Sequence, residues 1–193
     1  AACGIGFALT EVGRLALVDG WETTAFAFGQ PMDEARYARL VELSRHGAVY
    51  GALRALARGP LLALGAAAGI AAVAAAARRR GASFGQLFAI TAHASVILAL
   101  RDAIATPLQY ARESLANPVS LGLFAPMLDE ASAAARFLGM IDLFVLWWAV
   151  VLAVGVSLLY GTRTRATAAA FVGVYLGGAL ALAAAMALVG DRV

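Results

Sequence analysis

Four stretches of the chain stay apolar over the roughly 20 residues that a helix needs to cross a bilayer. Residues 59–77 carry no charge. Residues 84–106 are interrupted only by His93 and the adjacent Arg101 and Asp102. Residues 137–160 hold Asp142 as their one charge, and residues 166–190 hold none. Each is predicted to be a transmembrane helix. The opening AACGIGFALTEVG reads as the end of a fifth span over 1–18, cut inside its hydrophobic part. There Glu11 and Arg14 would share a helix face and pair.

Between the first two spans the pattern changes to an amphipathic one. Residues 31–57 read as a single helix after Pro31, with Tyr37, Leu40, Val41, Ala48 and Leu56 on an apolar stripe. Asp33, Glu34, Arg36, Arg39, Glu42 and Arg45 supply the wet face, and His46 is expected to be solvated. Such a helix beside a membrane lies along the interface, or docks onto a partner protein. The loop after residue 106 contains Asn117-Pro118 and Ala125-Pro126 and is expected to form a re-entrant or surface turn, then a helix.

Composition agrees with the pattern. The chain has 193 residues, 62% hydrophobic and 14% charged, with mean hydropathy +0.81. That is too little polar side chain to cover a water-soluble globule. All 15 basic residues are arginine, and the net charge is +3. No basic, aromatic-interleaved face points to nucleic acid. The turns at 78–83 and 161–165 hold Arg78, Arg79, Arg80, Arg163 and Arg165 with no acid, whereas the other loops are mixed. The positive-inside rule makes these two turns cytoplasmic. The C-terminus then lies outside, and five spans give a cytoplasmic N-terminus. Cys3 is the only cysteine, so neither a disulfide nor a cysteine-rich metal site is expected. Its AAC context also resembles a lipoprotein processing box.

Candidate chemistry is sparse. Gly65 and Gly69, like Gly173 and Gly177, are four apart, which allows close helix approach. The plainer reading is contact between helices of this chain; the sharper one is oligomerisation. Arg101, Asp102 and Asp142 fall at similar depth near the outer ends of their spans. An Arg101–Asp142 ion pair would neutralise both, whereas a proton or ion relay is the functional alternative. His93, near mid-membrane, would bond to a neighbouring helix or, less simply, ligate a haem or pigment. Trp147 and Trp148 fall mid-span, too deep for an interfacial belt, and are expected against Gly or Ala faces of adjacent helices; a lipid or quinone slot is the alternative. There is no phosphate-binding glycine loop, HExxH, GxSxG or Ser–His–Asp set, so no enzyme is expected.

The second half, GASFGQLFAITAHASVILAL followed by FLGMIDLFVLWWAVVLAVGVSLLYGTRTR and a final apolar helix, resembles bacterial members of the Ypt-interacting protein (Yip) family. The resemblance covers about 31–190. It implies five transmembrane helices, a cytoplasmic N-terminus and an outer C-terminus. Eukaryotic members contact small prenylated GTPases, but their DLYGP-type signature does not occur here, which counts against GTPase binding. The expectation is one all-α polytopic membrane helix bundle over 1–193, with about five transmembrane helices and an interfacial amphipathic helix. It would sit in a bacterial cytoplasmic membrane as a scaffold or accessory subunit without a cofactor. Its partners would be lipids and other integral membrane proteins, within a multi-subunit complex. The alternatives are a small transporter using Arg101, Asp102, Asp142 and His93, and a pigment- or haem-binding subunit through His93.

Overall fold

The computed structural model describes residues 10–27, 30, 33–44, 46–79, 81–113, 116–128 and 132–190. Cys3, Pro31, Arg45, Arg80 and the side chain of Arg14 lie outside the described residues, as do the expectations attached to them. Within those bounds the chain is all-helical, with one isolated bridge between Ser120 and Asp142.

Helix α1 spans Glu11–Ala27. It runs nine residues beyond the expected exit at 18, and its three acids keep it more polar than the four long apolar segments that follow. Helix α2 spans Glu34–Ser44. Asp33 starts it: its carboxylate accepts from the Arg36 amide at 2.7 Å. Helix α3 spans Gly47–Ala76 and runs through Pro60. The single amphipathic helix expected over 31–57 is thus divided near 45–46, and its second half is continuous with the first long span. Pro60 does not end α3; within a membrane neighbouring groups can compensate for the missing amide.

The next span is also divided. Helix α4, Phe84–Ala94, starts at a capping box in which Ser83 and Gln86 serve each other's backbone amides. Helix α5 spans Val96–Ala111. The bend at Ser95 has a local cause: the Ser95 hydroxyl donates to the Thr91 carbonyl at 2.7 Å, a back-bond that bends helices. Thr91, fully buried, donates in turn to the Ala63 carbonyl of α3 at 2.9 Å.

After α5 a short 3-10 turn, Leu121–Phe124, and helix α6, Ala133–Met140, form a polar-ended cap. Gly122 and Gly139 let these two backbones meet, since a Cβ on Gly122 would stand 3.3 Å from the Gly139 backbone. Helix α7, Leu143–Tyr160, follows Asp142 directly. It ends at Gly161, whose φ of +61° suits a residue without a Cβ. Helix α8 spans Thr164–Gly190.

Among the described residues, four helical segments are long and apolar enough to cross a membrane: Leu56–Ala76, Phe84–Ala111, Leu143–Tyr160 and Thr164–Leu188. Helix α7 is central, touching α4, α5 and α8. Helix α3 lies on α4, and α1 touches both α8 and α3. The core is small: Ala94, Leu152 and Val156, flanked by Ile70, Ile90, Trp148, Tyr160 and Phe171. Large side chains such as Val73, Leu158 and Val174 are more than two-thirds exposed, which suits a surface facing lipid rather than water.

Candidate functional site

The polar residues expected near the outer helix ends come together in one cluster. Asp142 is the N-cap of α7, not a residue within a span as the apolar run implied. Its Oδ1 accepts from the Phe144 and Val145 amides at 2.8 and 3.3 Å. Its Oδ2 accepts from Arg101 Nε at 2.5 Å and Asn117 Nδ2 at 2.9 Å. Its own amide donates to the Tyr175 hydroxyl at 2.8 Å, and that hydroxyl donates to the Met140 carbonyl at 2.8 Å. A buried carboxylate is tolerated when its lone pairs are met and a cation faces it; here both conditions hold.

The cluster grades outward. Side-chain exposure rises from 5% at Asp142 and 13% at Arg101 to 34% at Asp102 and 37% at Arg58. Arg101 Nη1 bonds to Asp102 at 2.9 Å, and Arg58 of α3 reaches the same Asp102 oxygen at 3.3 Å. Two arginines and two aspartates thereby alternate across α3, α5 and α7 with no net charge. The loop is tied in by backbone bonds from Leu121 to Ile141 at 2.8 Å and from Leu143 to Val119 at 3.2 Å. Tyr175 and Arg58 were not singled out from the sequence, and Asn117 was read only as part of the Asn117-Pro118 turn. Asn117 had a signal, since it precedes Pro118 in a turn; Tyr175 and Arg58 had none, because they reach the cluster only through helix packing.

The remaining candidates fall elsewhere. His93 is exposed, and its Nδ1 lies 2.7 Å from the Ala89 carbonyl of its own helix rather than from a neighbour. Gly65, Gly69, Gly173 and Gly177 are exposed, and a Cβ on any of them would meet nothing within 4 Å. Contact between helices among the described residues therefore does not use the GxxxG faces. Gly155 is used instead: a Cβ there would be 2.6 Å from Ile90 Cγ2.

Because α7 begins at Leu143, the tryptophans are its fifth and sixth residues and not mid-helix. Trp147 is 49% exposed, with Phe144 as its ring neighbour at 6.2 Å. Trp148 turns inward onto the core, and its buried Nε1 has no acceptor among the described residues.

The two arginine turns lie together at the other end of the bundle. Gly81 comes 3.5 Å from the Leu159 carbonyl, measured to a built Cβ. Arg79 and Arg163 line one cavity of about 930 Å³ between α3, α7 and α8. No group of three metal-ligating side chains occurs among the described residues. No protein-family model, curated protein or solved structure matches the chain.

Proposed function

We propose that the chain is a non-catalytic integral membrane protein, a scaffold or accessory subunit that contacts lipids and partner membrane proteins. The Yip-type sequence pattern and the arginine turns support a bacterial cytoplasmic membrane, five spans and an outer C-terminus. One observation carries the functional reading: Asp142, the most buried charge among the described residues, spends both oxygens on structure. A relay group needs a free acceptor and a water path. Neither oxygen is free, the Asp142 side chain is 5% exposed, and it does not line the cavity that runs up from the arginine turns. The open faces of Gly65 and Gly173 support a role in contacting other proteins.

Asp142→Asn separates this reading from a conduit. A scaffold loses stability or assembly in native gels of solubilised membranes. A transporter keeps its assembly and loses flux in proteoliposomes, which would overturn the proposal. His93 faces outward on its own carbonyl bond, so the purified protein is expected to show no visible absorbance band.

A further inference from the structure

The cavity between α3 and α8 is open on its side. Val73 and Val174 on its rims are 71% and 78% exposed. Its walls are apolar and include small residues, Ala66 and Gly69 on α3 and Ala170 on α8, which leave the space unfilled. Along α3 the lining runs from Ala66 to Ala77, and along α8 from Ala166 to Tyr175. At 1.5 Å per residue these are about 17 and 14 Å, against about 15 Å for one leaflet of a 30 Å hydrocarbon core. Its charges are confined to one end, where Arg79 and Arg163 stand with Thr162 and Thr167, while Trp148 and Tyr175 line the other. Neither arginine has an acidic partner among the described residues, whereas Arg58 and Arg101 at the opposite end are both paired.

We propose that this groove binds one anionic phospholipid of the cytoplasmic leaflet, with its phosphate between Arg79 and Arg163 and an acyl chain running toward Trp148. Length, side opening and charge each match. The proposal rests on the membrane reading and the orientation given above.

The test uses Trp148 as the reporter. Trp21 and Trp147 are replaced by phenylalanine in the full chain, and the protein is reconstituted into phosphatidylcholine vesicles. A few per cent of the lipid is either phosphatidylglycerol or phosphatidylcholine with chains brominated toward the methyl end, which quenches nearby tryptophan. A second variant keeps Trp147, on the same helix but outside the groove, in place of Trp148. Brominated phosphatidylglycerol is expected to act on Trp148 at concentrations at least about fivefold lower than brominated phosphatidylcholine. That is the ratio one arginine beside an anionic leaflet supplies at about 1 kcal/mol. Trp147 is expected to show no such preference. Arg79→Gln with Arg163→Gln is expected to abolish it, and so is Gly69→Leu, which fills the groove while leaving both charges.

Equal preference at Trp147 and Trp148 means a general ring of anionic lipid and overturns the proposal. So does a preference that survives Gly69→Leu. Quenching of Trp148 by neither lipid means that protein fills the groove, either a second copy or another segment, and also overturns it. Failure of the protein to float with the vesicles would sink the membrane reading itself, a different result from any of these.

Discussion

Asp142 does three things with one carboxylate: it caps α7, faces Arg101 and holds Asn117. This decides which substitutions are informative. Asp142→Asn keeps an acceptor for the cap but leaves Arg101 short of charge. Removing one member of a buried pair costs about 3–5 kcal/mol. Asp142→Ala loses the cap too, and is expected to cost about 1 kcal/mol more. Thermal unfolding of the detergent-solubilised protein should rank them in that order. Exchanging the charges is expected not to rescue, although the contact exists, because an arginine at the N-cap cannot accept the Phe144 and Val145 amides. A double-mutant cycle of Arg101→Met with Asp142→Asn is the fair measure, and a coupling near zero would show that the contact is not energetic. The carboxylate and its arginine partner were legible in the sequence, from the cost of leaving either alone in lipid. The capping role was not, because a continuous apolar run hides a helix start placed inside it.

Among whole helices the same limit recurs. Hydropathy located the long apolar segments to within a few residues, since it depends only on composition over a window. It missed the breaks at Ser95 and Asp142, which come from single hydroxyl and carboxylate bonds to backbone. Nor did the GxxxG spacing find the glycine at which two helices of this chain meet closely. GxxxG is a spacing, whereas close approach depends on what lies opposite, and in this chain that is Ile90 against Gly155. Gly155→Ala is expected to destabilise by about 1–3 kcal/mol through overpacking, with recovery when combined with Ile90→Ala. Gly173→Ala meets open space and is expected to be neutral or to stabilise by up to about 1 kcal/mol in the isolated chain. The two glycines exchanging behaviour in an unfolding assay would contradict the placement of α4 against α7.

At the level of the whole molecule, polarity divides between two ends: a neutral, internally paired cluster at one, and at the other arginines with no acidic partner among the described residues. The proposed orientation rests on the second, and it can be tested directly. With Cys3 replaced by serine, a cysteine at Met127, which is 87% exposed beside the paired cluster, should react with an impermeant thiol reagent on intact cells. A cysteine at Ala82, in the first arginine turn, should react only after the cells are opened. The opposite pattern would invert the topology. The order of apolar and basic segments was enough to expect this arrangement. The cavity was not foreseeable, because it is made by small side chains from three distant segments.

The Tyr175 hydroxyl sits between the Asp142 amide and the Met140 carbonyl. It belongs to the last helix, so it is translated after every other member of the cluster. Until the ribosome has passed residue 175, the junction of α6 and α7 has an amide and a carbonyl without their hydroxyl. The growing chain therefore closes this end of the bundle last, and a polypeptide released before that codon is expected to leave the turn at 116–128 loosely held and open to added protease.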